Sequence, residues 1–536
     1  MQVDDKPLSV KNGASRVGPI AADLEVDAVP FQKANSHATI ASRVGVPTIY
    51  LLLGNIFTLA VGVPLQIYIA RILGAVGIGI YGLLEAAMST ASGLLGFGVA
   101  MTVVRFLPEH LGRREYGEAV GLIRIGALFL FATSGLAYTV LLFLLFFVST
   151  LWPSMKGYRL EIAIMGLMIP LSLITSFLQQ ALRGFQDIRG IVVGSSVIQL
   201  TMKTLLTIGA FAIGLGLDGY MLASILASLS CVIWLFLSLV HQIRALPLAT
   251  PTISPLPRWR RFALASYSGS LLDTATSGLD RFLVGAFIGN SAVGILVVVR
   301  QLQMLPERFN QMLLVTTAPL FSAAHGANDK RERQYAYHLT TDWAVRSSLP
   351  LMLFLWLFGG DVLALFGSVF ADAGTVPLWI VVGAQFFGMA SGPVGNLAMM
   401  SGLEWPSIRL SVINTVLGVG ALAVLTPFFG LTGVAIAYVL VIVLQNVTLL
   451  FLVRRELHLQ WWDWRYLEWL PQCGAVLAVA SLALFLTRPF SAAELATCLI
   501  AMYAAAVAVT FLRGWHEDDK QLLRHIRQAV RSATLP

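Results

Sequence analysis

Between residues 47 and 513 the chain is a succession of apolar runs parted by short connections. Each run reaches the roughly 20 residues that a helix needs to cross a bilayer. In lipid every backbone polar group must be satisfied within the segment, so such runs must be α-helices. There are fourteen, at 47–70, 78–103, 121–149, 160–184, 189–215, 218–243, 263–289, 292–324, 340–366, 376–400, 406–428, 431–453, 467–487 and 491–513. Hydrophobic residues make up 57% of the chain and charged residues 12%, with a mean hydropathy of +0.78. Those values exclude a soluble globular domain. The expected fold is an all-α integral membrane protein with about 14 transmembrane helices.

The connections alternate in character. One set is short, Gly-rich and almost uncharged, such as GLGLDG at 214–219 and FFGLTG at 428–433; the other is basic, such as RFLPEHLGRRE at 105–115, PLPRWRR at 255–261 and HGANDKRER at 325–333. Of the 36 Lys and Arg, only Arg71, Lys156, Arg159 and Arg488 fall on the first side. The net charge of +8 therefore speaks to topology, not to nucleic acid: positive loops stay in the cytoplasm, which puts both termini there in a multi-pass protein of the cytoplasmic (inner) membrane. No apolar core precedes Val46, so residues 1–45 read as a flexible cytoplasmic tail with no cleaved leader. The last stretch, 514–536, sets Leu522, Leu523, Ile526 and Val530 against Lys520, Arg524, Arg527 and Arg531, the pattern of an amphipathic helix on an anionic leaflet. The run WWDWR at 461–465 reads as an interfacial aromatic belt.

The chain also repeats itself. Shifted by 215 residues (289 − 74), Gly74 falls on Gly289 and Gly79 on Gly294. Polar positions register too: Asn55 with Ser270, Thr58 with Asp273, Gln66 with Arg281, Glu85 with Arg300 and Ser92 with Glu307. The organisation expected is two six-helix lobes, 46–243 and 263–453, joined by a basic linker at 244–262 and followed by a two-helix appendage at 454–513. An even number of helices per lobe makes the repeat parallel, its axis along the membrane normal.

Chemistry is concentrated in RQLQMLPERFNQ, residues 300–311, inside the eighth run. At about 100° per residue, Arg300, Gln303, Glu307, Asn310 and Gln311 share one helical face, with Arg308 at its margin. A charge at membrane depth costs about 2.5–3.5 kcal/mol even on the lenient insertion scale, so such a face must see protein or water. The seventh run adds Asp273, Asp280 and Arg281; the matching first hairpin carries the milder Asn55, Gln66, Glu85, Ser89 and Ser92. Two facing polar hairpins would line a cleft between lobes. The alternative is a set of satisfied interhelical ion pairs. Guanidinium forks suit phosphate oxygens, which makes Arg281, Arg300, Arg308, Gln303, Gln311, Asn55 and Gln66 candidate cavity residues. Lys203, mid-span, is expected to face the second lobe. All eight His fall in loops, tails or span ends, so any coupling ion, H⁺ or Na⁺, would have to meet Asp273, Asp280, Glu307 or Glu85.

Gly77-Ile-Gly79-Ile-Tyr81-Gly82 matches a dinucleotide fingerprint but follows a membrane span, not a strand. Asn446-Val-Thr448 is a glycosylation sequon inside a span. Cys231, Cys473 and Cys498 lie in apolar runs and form neither a disulfide framework nor a metal site. No Walker loop, HExxH or nucleophile–base set is present, and the expectation is a non-enzyme without a bound cofactor.

Arg71-Ile-Leu-Gly74 followed by Gly79-Ile-Tyr81, LRGFQDIRG at 182–190, Leu279-Asp280-Arg281 through Gly289 and Gly294, LFGSVFADAG at 365–374 and GLTGVAIAY at 430–438 together resemble the polysaccharide-export (Wzx-type) branch of the multidrug/oligosaccharidyl-lipid/polysaccharide exporter superfamily. The resemblance runs from about 45 to 455. It implies fourteen helices, two lobes and a central cationic cavity that moves a lipid-linked oligosaccharide between leaflets. The partners it implies are a lipid-linked glycan, membrane lipids and polysaccharide polymerase or export machinery. Glu85 departs from that picture, since it puts an acid on the first lobe's cavity face and leaves pyrophosphate contacts to the second. Two rivals share the architecture: a peptidoglycan lipid-precursor flippase and a cation-coupled multidrug exporter. A membrane-embedded polymerase or ligase would want a large outer loop, and the longest outer connection is only about 149–160.

Overall fold

The computed structural model describes residues 37–151, 159–247, 252, 256–276, 278–326, 330–486 and 490–513. Most of the N-terminal tail, much of the basic linker and the amphipathic stretch after 513 lie outside the described residues. In chain order the helices are α1 (His37–Leu95), α2 (Val99–Gly112), α3 (Tyr116–Leu151), α4 (Arg159–Gly166), α5 (Met168–Gly184), α6 (Ile188–Val192), α7 (Gln199–Ala212) and α8 (Gly216–Arg244). There follow α9 (Leu256–Thr276), α10 (Leu279–Phe287), α11 (Asn290–Gly326), α12 (Lys330–Phe366), α13 (Ser368–Ala390), α14 (Val394–Met400), α15 (Glu404–Leu457), α16 (Trp469–Leu486) and α17 (Ala492–Arg513). A π-helical turn at Val193–Ile198 joins α6 to α7.

Fourteen crossings emerge from these elements. Helix α1 is two spans folded at Gly74 (φ 63, ψ −177), and α15 is two folded at Gly430 (φ 59, ψ −139). Only glycine takes such backbone angles without strain. The pairs α4–α5, α6–α7, α9–α10 and α13–α14 each make one crossing. Ten helices among the described residues are long and apolar enough to span a membrane. The seventh and eighth crossings, α9–α10 and α11, carry the polar residues of the two-helix hairpin.

Two expected boundaries move. The second run ends at Leu95, and RFLPEHLG belongs to α2, not to a connection, because Phe97 and Gly98 take left-handed angles (φ 44 and 69) and restart the helix. Its apolar face then buries Val103, Phe106 and Leu107. The seventh run is not continuous; Gly278 (φ 87) breaks it and starts α10.

The repeat is visible as a contact. A Cβ added to Gly79 would lie 1.8 Å from the Asn290 carbonyl oxygen, and one added to Gly294 would lie 1.9 Å from that of Ala75. Since 75 + 215 = 290 and 79 + 215 = 294, these are one contact seen from its two sides. Gly82 meets Val297, its own equivalent (82 + 215 = 297), at 2.9 Å from an added Cβ. Contact between equivalent residues is what a two-fold axis produces. The axis passes between α1 and α11, whose backbones touch at the end of the molecule that carries few charges. Arg71 reinforces that end by donating from Nε to the Leu365 carbonyl at 2.7 Å, at the carboxy-terminus of α12. The GxGxxG glycines thus lie within a helix, where Gly79 and Gly82 permit close approach to α11.

The appendage α16–α17 packs on α12, pinned by a buried polar network. Arg346 donates to Asp342 and Glu468 at 2.8 Å each, and the Trp469 indole donates to Asp342 at 2.9 Å. Arg346→Ala leaves Asp342 buried without its cation, a loss of about 3–5 kcal/mol. Thermal unfolding in detergent should show a large fall in Tm for Arg346→Ala, part of which Asp342→Asn recovers. An unaltered melting curve would disprove the anchoring role.

Candidate functional site

The break at Gly278 places the amino-terminus of a nine-residue helix at membrane depth. Its first N–H groups have no intrahelical partner and its dipole end is positive. The sequence fills the first turn with Asp280, whose Oδ1 accepts the Arg281 backbone N–H at 2.8 Å. Asp280 and Arg281 are adjacent, so their side chains diverge by about 100° and reach different neighbours. Arg281 reaches across the two-fold axis to α1: its Nη1 donates to the Gly82 carbonyl and to Glu85 Oε2, both at 3.1 Å. Asp280 turns instead toward α11 and α15. The Tyr438 hydroxyl donates to Asp280 Oδ2, and Arg300 Nε lies 3.9 Å from the same oxygen. The Arg300 guanidinium sits over the Tyr438 ring, 4.6 Å from its centre, a cation–π arrangement.

The result is a chain of charges, Glu85–Arg281 and Asp280–Arg300, strung across the contact between the two halves. Side-chain exposure is 28% for Arg281, 44% for Glu85 and 33% for Arg300. Guanidinium groups in a membrane-spanning helix cannot face lipid cheaply, so that exposed surface calls for water or a polar ligand. One turn beyond Glu85 along α1, about 6 Å away, Ser89 and Ser92 line a cavity of about 360 Å³ walled also by Ser172, Ser176 and Tyr267. Their hydroxyl protons go to backbone carbonyls of their own helix. That leaves hydroxyl lone pairs facing the cavity, suited to accept from a polyhydroxyl ligand.

Of the residues expected at the site, Arg281, Arg300, Asp280 and Glu85 come together. Asn55 and Gln66 are half-buried on the first crossing. Gln303 is 4% exposed with its Oε1 unpartnered among the described residues, so it faces protein, one turn from Arg300. Arg308 is exposed and Glu307 half-buried. The side chains of Asp273 and Gln311 lie outside the described residues. Lys203 meets first-half rings: its Nζ sits 5.5 Å from the Tyr81 ring centre and 4.9 Å from that of Tyr220. Those two rings, tilted at 48° with centres 4.5 Å apart, give the cation two π faces to meet. Sequence reasoning missed Tyr438, the residue that holds Asp280 and stacks on Arg300. Its signal was available, as a lone phenol in the apolar stretch GLTGVAIAY.

The model of the family described as polysaccharide biosynthesis protein matches residues 45–325. No curated protein matches the sequence. Among solved structures, the chain is similar to the lipid II flippase MurJ in an inward closed conformation (TM-score 0.65, 14% identity, 87% of this chain and 98% of that one). It is likewise similar to a multidrug resistance MATE family transporter of the MOP superfamily in an inward-facing conformation (0.61, 17%, 78% and 98%). A third is a MOP superfamily transporter from Pyrococcus furiosus whose reverse polarity of binding pocket suggests a different function (0.55, 17%, 78% and 96%). At these identities the likeness is one of fold.

Proposed function

The chain belongs to the polysaccharide biosynthesis protein family, with the all-α fold of the MOP superfamily, and from that premise we propose that it is a flippase for a polyprenyl-pyrophosphate-linked oligosaccharide. The observation that carries the reading is the pair Arg281 and Arg300 beside the contact of the two halves, the first bonded across it to Glu85 and the second 3.9 Å from Asp280 of its own half. A pyrophosphate brings the oxygens that guanidinium forks bind in pairs. It would take both arginines from their carboxylates, which match its charge. The sugars would lie against the serine-lined cavity, and the polyprenyl chain would stay in the bilayer.

In this reading the lobes are 46–243 and 263–453, linked through 244–262, with 454–513 appended. They rock about the α1–α11 contact, exposing the site to one leaflet and then the other. Both termini are cytoplasmic and the membrane is the inner one. Glu85 and Asp280, once displaced from the arginines, are the acids that would take up a driving H⁺ or Na⁺. The glycan then passes to polymerase or export machinery.

The test is a flipping assay in proteoliposomes holding the purified protein and a fluorescent polyprenyl-pyrophosphate oligosaccharide. Protein-dependent loss of label to an impermeant quencher is expected, with no uptake of a cationic dye such as ethidium. Dye transport without glycan movement would establish the drug-exporter alternative. Equal movement of a peptidoglycan lipid precursor and no other glycan would establish the precursor-flippase alternative.

A further inference from the structure

Away from the central site, the start of α12, the end of α15 and the connection at 458–463 enclose two adjoining cavities of about 410 and 510 Å³. Arg333 lines the first. It is 4% exposed, so its guanidinium reaches solvent space only through the cavity it lines. A buried guanidinium opening on a cavity is costly to desolvate, and an anion in that cavity offsets the cost. The surroundings repeat the sign. Lys330, Arg331 and Arg465 share the first cavity and Arg454 lines the second. Asp463 is the one acid among the lining residues described, and its Oδ1 accepts the Arg465 backbone N–H at 3.0 Å.

The walls are fixed before any ligand comes. Gln334 clamps the backbone of Gln460 from both sides, donating from Nε2 to its carbonyl at 2.5 Å and accepting its N–H at 2.9 Å. One turn on, His338 Nδ1 and the Tyr466 hydroxyl are 2.8 Å apart. Trp461, Trp462 and Trp464 are exposed, and all three line the second cavity. Exposed tryptophans of a membrane protein mark the depth of the lipid headgroups. A basic, preformed cavity at headgroup depth suits a phosphodiester that is anchored in the bilayer.

We propose that this cavity binds the phosphate of an anionic phospholipid, with Arg333 as its central ligand and Lys330 and Arg465 at its rim. The site is separate from the one that carries substrate. It ties lipid charge to the junction of α12, α15 and α16.

Native mass spectrometry of the purified full chain tests this, with dioleoylphosphatidylglycerol, dioleoylphosphatidylcholine and inorganic phosphate as probes. The wild type should hold one phosphatidylglycerol about tenfold more tightly than phosphatidylcholine, the worth of one or two charge-assisted hydrogen bonds. Arg333→Gln should remove that preference. Lys330→Gln, at the exposed rim, should reduce it less. In lipid-free detergent Arg333→Gln should melt no lower than wild type, because a cavity arginine kept for a ligand adds its stability only when the ligand is bound. A lower Tm there, or a wild type that binds both lipids equally, overturns the proposal. Competition by inorganic phosphate as effective as by phosphatidylglycerol would assign the site to a soluble anion and overturn the lipid assignment.

Discussion

Gly294→Ala abolishes transport while the protein still folds and inserts: that is the expected result at the two-fold contact. A methyl group there would lie 1.9 Å from the Ala75 carbonyl oxygen, and backbone cannot yield as a flexible side chain can. Overpacking costs about 1–3 kcal/mol, but here the cost falls only on the state in which α1 and α11 touch. The state in which they part is untouched, so the effect is a shift of population of about five- to hundredfold, not unfolding. Gly79→Ala meets the Asn290 carbonyl at 1.8 Å and, by the repeat, should do the same. The shift is readable directly. In a cysteine-free background, Gln66→Cys should react faster with an impermeant thiol reagent from the sparsely charged side when Gly294→Ala is added. Normal transport by the Gly79→Ala, Gly294→Ala double variant would show that this contact does not open and close.

Arg300→Ala is the second large effect, and the structure separates its two readings. Were Arg300 a structural partner of Asp280, its loss would strand a carboxylate. Asp280, however, accepts the Tyr438 hydroxyl and the Arg281 N–H, and Arg300 Nε is 3.9 Å away. The acid therefore stays satisfied, and Tm and abundance should remain near wild type. Transport should fall by about ten- to hundredfold, the worth of hydrogen bonds to a charged ligand group. Arg300→Lys keeps the charge and loses the fork, so it should retain part of the activity. A collapse of abundance in Arg300→Ala, relieved by Asp280→Asn, would make Arg300 a structural residue instead.

Much of this architecture is legible in the sequence because bilayer thickness leaves an apolar run few alternatives. The repeat is legible at Gly74, Gly79, Gly289 and Gly294, where glycine is required by a left-handed angle (φ 63 at Gly74 and 115 at Gly289) or by backbone approach. The break at Gly278 is not legible, since a lone glycine in an apolar helix is commonly tolerated and only tertiary contacts decide whether it bends. At the site, spacing predicts which face Arg300 shares but not which acid it meets. Asp280 and Arg281 are neighbours in sequence that part company in space, one toward Tyr438 and the other toward Glu85. For Lys203, periodicity gives a direction around its helix and says nothing of the Tyr81–Tyr220 pair its ammonium meets. Arg333 was hidden among the other charges of HGANDKRER, where burial of one of them has no sequence signal.

The central claim is that Arg281 and Arg300 exchange their carboxylates for a pyrophosphate. It is tested most directly by the binding of polyprenyl diphosphate against polyprenyl monophosphate, which share the same chain and differ by one phosphate. The wild type should prefer the diphosphate by about tenfold, and the Arg281→Ala, Arg300→Ala double variant should bind both alike and weakly. Equal affinity of the wild type for the two lipids, or a diphosphate preference that survives in the double variant, would contradict it.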